Sequence, residues 1–498
     1  MRGLTLLKPT LLAIVLVICF SVANGSATSS EPTSHGREII FAIGQMPLNL
    51  DPRYATDAAS ERVNRLIYQS LVDFDQHSRP TPSLASWLVL SNREFQFTLK
   101  AKRSAFNTPT KIRSTFLNAR DVKATYDSFT NLADSPHAAE FSNIQEIVVL
   151  NDDTLIFKLK KDDANFPTKL LIGILPAALV EKNHDFSHHP VGSGSIQLLD
   201  WGNKLTLQRV KDGQRISLLE VKDPTVRVLK LLHGEVDLLQ GELPSELIQH
   251  LESKSEITLK NSVGANFSYL GLNMQDPILQ SLKVRQAIAH AIDRETIIAK
   301  VMTRQTRLAS AILPPEHYTN HKSALPAYDY NPKRARQLLL EAGVQLPLKL
   351  VYKTSTDAQR VRLATIMQAQ MAEAGIDLEI RSLDWGTFFA DVKQGNFQLY
   401  GLTWVGIKTP EIYRKVFGSD SFPPHGFNRG RFSDASLDQL LVVENWPAVT
   451  KRIHAQLPYI PLWYEGQFAA MRNNIIHFTP KTDGNWDDLA KITYRKVH

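Results

Sequence analysis

The stretch at 266–300, NFSYLGLNMQDPILQSLKVRQAIAHAIDRETIIAK, decides the fold, because it passes from strand to helix within a few residues. Phe267, Tyr269, Leu270 and Leu272 make a β-rich run that Asn273 and Pro277 close, since proline removes a ladder donor and asparagine favours turns. Val284, Ala287, Ile288, Ala291 and Ile292 then recur at helical spacing. That spacing predicts one apolar face, with Lys283, Arg285, Gln286 and His290 largely on the other. Asp293 interrupts the face and is a good N-cap for a second helix with Ile297, Ile298 and Val301 inward.

Toward the C terminus the alternation continues. Asn331 and Pro332 sit at N-cap and N1 of a helix with Ala335, Leu338, Leu339 and Ala342 inward and Gly343 at its end. LKLVYK, a helix over 357–374 stopped by Gly375, IDLEI, a short helix over 385–392 and FQLYGLTW follow. Strand, helix, strand, helix and strand with short joins imply right-handed crossovers and a mostly parallel sheet. Toward the N terminus, EIIFAIG is a strand, Val63, Ile67 and Leu71 mark a helix, and FQFTLK alternates as a strand. Asn118 is placed to cap a helix of Val122, Tyr126 and Phe129, and IQEIVVLNDDTLIFKLKK reads as a hairpin.

The 498 residues, 43% hydrophobic and 21% charged, suit a globular chain with more than one core. Arg2 and Lys8, an apolar run over 11–22 and small residues Ala23, Gly25 and Ala27 read as a secretory signal peptide, with cleavage after Gly25 or Ala27. Ser26 to Gly36 reads as a flexible mature terminus. The only cysteine, Cys19, lies inside the leader, and Ile18 stands where a lipoprotein signal wants Gly or Ala, which argues against a lipid anchor. The net charge of +7 is scattered rather than gathered with aromatic platforms, so nucleic acid is not an expected partner.

Several motifs invite chemistry. Ser193 in PVGSGSIQLLDW has the glycines of a nucleophile elbow without its G-x-S-x-G spacing, and reads as a structural turn in which glycines let backbone approach backbone. His184, Asp185, His188 and His189 could hold a metal, but no helical or strand frame fixes their geometry, and they read as a polar surface loop. No nucleophile, base and oxyanion donors assemble, so no enzyme, cofactor or metal site is expected.

VRQA at 284–287 and AIDRE at 291–295, after a strand ending in Asn, resemble the peptide-binding family of extracytoplasmic solute-binding proteins that serve ABC importers. NLDP at 49–52, TPSLASW at 81–87, PVGSG at 190–194, GEVDLL at 234–239, GFNRGRFSD at 426–434 and IPLWY at 460–464 match further family markers in order. The resemblance implies an α/β, two-lobed periplasmic-binding-protein fold with hinge strands and an extra subdomain in the first lobe. Its expected parts are a signal peptide at 1–25, the flexible 26–36, a first lobe at 37–266 with an inserted subdomain at about 76–190, a second lobe at 267–469 and a return at 470–498.

The resemblance also implies a monomeric periplasmic protein that captures peptides or peptide-like solutes in an interlobe cleft and delivers them to an inner-membrane ABC permease. Trp404, Tyr269, Asp57, Trp385, Lys408 and Asn428 are the residues expected at the ligand. A non-peptide ligand, of nickel, haem or glutathione type, is the alternative, and an exported hydrolase a further one. One departure matters. Peptide binders follow the Trp of this loop with an Asp that pairs with the ligand amine, whereas here Ile407 and Lys408 stand there. Unless Asp57 or Glu411 substitutes, amine-poor solutes should then bind at least as well as free peptides.

Overall fold

Two long strands, Ile257–Leu272 and Tyr459–Arg472, run antiparallel through the centre of this computed structural model. The structure describes residues 37–495 apart from 76–77, 102–103, 108–115, 133, 242, 303, 320–324 and 326–327. The expected leader, its Cys19 and the stretch before residue 37 lie outside the described residues. The register of the long pair shifts between Ser262 and Asn266, where Gly264 faces Glu465. A Cβ on Gly264 would stand 1.4 Å from the Glu465 carbonyl oxygen, so only glycine permits this crossing.

Each end of the pair carries its own part of one large sheet. At the end formed by Phe267–Leu272 lie, in order outward, Leu399–Trp404, Leu348–Ser355 and Ile376–Leu383, the last two parallel. At the other end lie Leu238–Gln240, Ile39–Ile43, Arg215–Glu220, Leu205–Arg209 and Ile196–Trp201. A separate four-stranded sheet, Ala85–Ser91, Glu94–Leu99, Thr154–Leu159 and Ile144–Val149, stands in the first part of the chain.

The apolar interior divides the same way. One cluster joins residues between Ile39 and Leu238 to residues between Ala469 and Ile492, and a second gathers Val221–Ile257 with Ala42, Phe468 and Ala470. The other two draw only on residues between Phe267 and Tyr464. Strand faces thus bury against helices separately on each side of the long pair, which gives the two lobes of an α/β fold.

Local sequence explains the elements. Asp293, Asn331 and Asp357 accept from backbone amides at the starts of their helices, and Asn118 forms a reciprocal capping box with Asp121. Gly343 and Gly375, at φ +74° and +84°, end helices as expected. At PVGSG, Cβ atoms on Gly192 and Gly194 would meet the Ile67 and Leu66 carbonyls at 2.1 and 2.2 Å, and Ser193 is buried in that turn. Arg285 corrects the helical reading. It is buried rather than on the polar face, because its guanidinium donates to the carbonyls of Leu279, Gln280 and Gln456, and burial lowers its pKa to about 10.

Candidate functional site

Between the two lobes lies a cavity of about 500 Å³, within the range of small-ligand sites. Its first wall comes from the helix Ala58–Ile67, the loop before it and the segments around His137 and Lys169. Its second wall comes from the end of the strand Leu399–Trp404, the following loop and residues of the helix Trp385–Gln394 and the 427–429 loop.

Four of the six residues expected at the ligand line this cavity: Asp57, Trp385, Trp404 and Lys408. Trp404 is largely buried, lies parallel to Tyr269 at 6.3 Å between ring centres, and presents the rest of its surface to the cavity. Trp385 stacks on Phe389 at 5.2 Å. Asp57 caps the helix Ala58–Ile67, accepting from the Ser60 amide at 3.0 Å, and burial pushes its carboxyl up despite that bond. Lys408 does not await an acidic ligand group as a free cation. It spans to Asp483 at 3.2 Å and Asp73 at 3.6 Å, and both carboxyls are held down against the upward push of burial, with Lys408 contributing to each.

Tyr269 and Asn428 stand elsewhere than expected. Tyr269 is buried behind Trp404, stacked on Tyr459 at 3.9 Å, because its strand is central in the sheet and that face packs against aromatic neighbours. Asn428 is buried and spends its amide within its own loop, donating to the Gly418 and Phe432 carbonyls at 2.9 and 2.7 Å and accepting from the Phe432 amide. It shapes the loop that presents its neighbour Arg429 to the cavity.

Of the acids proposed to replace the missing aspartate, Glu411 is occupied. It is buried between Lys169 at 3.4 Å and Arg414 at 3.0 Å, and burial still raises its carboxyl. Glu61 was not anticipated. It stands in the first turn of the helix that Asp57 caps, opens onto the cavity, and among the described residues its carboxylate has no hydrogen bond or ion pair. The residue is exposed to the cavity, and desolvation by the cavity walls pushes its carboxyl up against the pull of His137 and Lys415. Its signal lay in helical geometry, one turn beyond the cap, rather than in any loop motif.

Ion pairs cross between the lobes around the cavity. Lys415 meets Glu140 at 2.6 Å, where burial alone would raise the carboxyl but Lys415 and His137 outweigh it and hold it low. Lys169 meets Glu411, and on the outer rim Arg362 meets Glu246 at 2.6 Å. The histidine loop lies apart from this cavity. His184 Nε2 is 2.8 Å from the His189 carbonyl and His188 packs against Trp201, and no group of three or more potential ligands among the described residues could hold a metal ion.

Comparison with known proteins agrees with this architecture. Residues 115–420 match the model for bacterial extracellular solute-binding proteins, family 5, middle region. The chain is 26% identical to the glutathione-binding protein GsiB of Escherichia coli O1:K1, over 94% of this chain and 97% of GsiB. It is 23% identical to the oligopeptide-binding protein AppA of Bacillus subtilis, over 97% and 98% of the two chains. The structure of AppA in complex with a nonapeptide superposes with a TM-score of 0.83, at 20% identity, over 92% of this chain and 99% of that one. The periplasmic binding protein DppA of Helicobacter pylori, in complex with the peptide STSA, gives 0.81 at 23% identity, over 92% and 98%. With its two lobes, crossing strands and interlobe cavity, the chain belongs to family 5 of the bacterial extracellular solute-binding proteins.

Proposed function

We propose that this protein captures short peptides or peptide-like solutes between its lobes and hands them to an ABC permease, outside the cytoplasm and without chemical turnover. The observation that carries the reading is Asn64. Its side chain lines the cavity, is 5% exposed, and neither amide atom has a hydrogen-bond partner. A buried amide with donor and acceptor both unspent is costly alone and is the complement of a peptide group. The Gln69 carbonyl in the same wall is likewise unpartnered.

Size narrows the solute. A volume of about 500 Å³ corresponds to a cube roughly 8 Å on edge, and an extended chain advances ~3.3–3.6 Å per residue, so about two to three residues fit. The peptide names attached to the relatives support the same class, and glutathione is itself a tripeptide. Binding to the closed form would shift a hinge equilibrium only by the extra affinity for that form. The long strand pair, crossing at Gly264, is where such a hinge would turn.

Thermal melting against peptides of graded length tests the reading. The midpoint should rise most with peptides of two or three residues, since ligand at about 100 times Kd adds about 2.7 kcal/mol. No shift with any peptide, together with a non-peptide solute retained through purification, would overturn it.

A further inference from the structure

We infer that Arg429 is the receptor for a carboxylate of the solute, an inference that rests on the cavity being the ligand site proposed above. Arg429 is 4% exposed and lines the cavity. Its guanidinium carbon lies 4.8 Å from the ring centre of Trp404, 5.1 Å from Phe389 and 5.7 Å from Phe427. Among the described residues it has no ion pair, and its side chain donates no hydrogen bond.

A buried cation normally has a carboxylate partner, because desolvation otherwise penalises its charge. The three rings offset part of that cost through their faces, but a ring face accepts none of the guanidinium's five N–H donors in a directional bond. Three rings around it also limit how the group can turn. What remains unspent is the forked edge of a preorientated guanidinium, whose geometric complement is a planar carboxylate held by two parallel hydrogen bonds.

The other cations of the cavity are spent. Lys415, Lys169, Lys408 and Arg65 each have an acidic partner, at 2.6, 2.9, 3.2 and 3.1 Å respectively. Arg429 is also held in place from behind, since Asn428 uses its whole amide to fix the loop. A rigid, unpaired cation in an otherwise neutralised wall determines specificity by charge and shape.

Titration calorimetry with Ala-Ala-Ala, its C-terminal amide and the non-peptide dicarboxylate glutarate tests this, using wild type, Arg429→Gln and Arg429→Lys. The wild type should prefer the acid over the amide by more than tenfold, Arg429→Gln should bind both alike, and Arg429→Lys should keep a reduced preference. Should Arg429→Gln fail to fold, the drop in preference in Arg429→Lys, which keeps charge and loses the fork, carries the test. Glutarate bound by wild type and lost in Arg429→Gln, with neither peptide bound, would uphold the carboxylate receptor and defeat the peptide reading. Equal binding of acid and amide by wild type, or an unchanged preference in Arg429→Gln, would overturn the receptor and leave the peptide reading standing. Absence of binding by any of the three probes to wild type would overturn it as well.

Discussion

The two walls of the cavity differ in charge more than in shape. The first-lobe wall and the returning C-terminal segment carry Asp57, Glu61, Asp73, Glu140 and Asp487 against Arg65 and Lys169, whereas the second-lobe wall carries Lys408, Lys415 and Arg429 and no acid. The second wall also supplies the rings of Trp385, Phe389, Trp404 and Phe427. Closing the lobes brings acids to cations, and the pairs Glu140 with Lys415 and Asp73 with Lys408 form across the gap. What the pairing leaves over is two acids, Asp57, whose carboxylate accepts from Ser60, and Glu61, which among the described residues accepts no bond, and one cation, Arg429. Opposed walls of this kind make closure partly self-complementary, while the remainder reads the solute.

Breaking the pairing should cost most. Glu140→Gln leaves Lys415 in the wall without its acid, and loss of one partner of a buried pair costs ~3–5 kcal/mol. A fall in denaturant midpoint, and an opened form in small-angle scattering, would show it; a midpoint unchanged within error would remove the latch from the account. The same latch has a pH signature. Because Glu140 is held below its ordinary value, its contribution is complete above the unfolded carboxylate pKa and is lost as pH falls through the lowered folded value.

Trp404→Ala removes a ring from beneath Arg429 and part of the second wall. Peptide affinity should fall by about tenfold or more, or ~1.4 kcal/mol, in calorimetry on a variant shown to be folded. Unchanged affinity would remove Trp404 from the ligand wall.

Glu61 sharpens the comparison from the other side. An unpaired acid in the wall sets a rival to the expectation that amine-poor solutes bind at least as well as free peptides: with Glu61 as the amine partner, a free peptide should bind about tenfold better than its N-acetyl twin. Glu61→Gln should abolish that preference. Since desolvation by the cavity walls raises the Glu61 carboxyl and a bound ammonium favours its ionised form, binding should release protons, and affinity should rise with pH through the raised value. Calorimetry in two buffers of different ionisation enthalpy reads this directly, and proton uptake would contradict it. The smallest effect belongs to the rim. Arg362 and Glu246 are substantially exposed, so Arg362→Ala should change stability by no more than about 1 kcal/mol in a denaturant titration.

The fold was legible because its signals are local. Caps at Asn118, Asp293, Asn331 and Asp357, terminating glycines and alternating strands each specify an element without reference to the rest of the chain. Trp404 and Lys408 were legible for the cavity because the strand and loop that carry them follow a recognisable order, and Asp57 and Trp385 mark the starts of two helices that also face it. Whether a given side chain is already spent was not legible. Lys408 and Glu411 read as available and are paired, Asn428 reads as a ligand and is bound within its loop, and Arg285 reads as solvated and is buried. Glu61 carries no motif, and the GFNRGRFSD marker that contains Arg429 does not single it out, since what distinguishes both is the partners that lobe closure gives to their neighbours.

Native mass spectrometry of the protein as it leaves the cell tests the central claim most directly. The account predicts one bound solute per chain, the size of a peptide of about two to three residues, bearing both an amine and a carboxylate. A bound solute with neither charge, or a metal ion in its place, would contradict it.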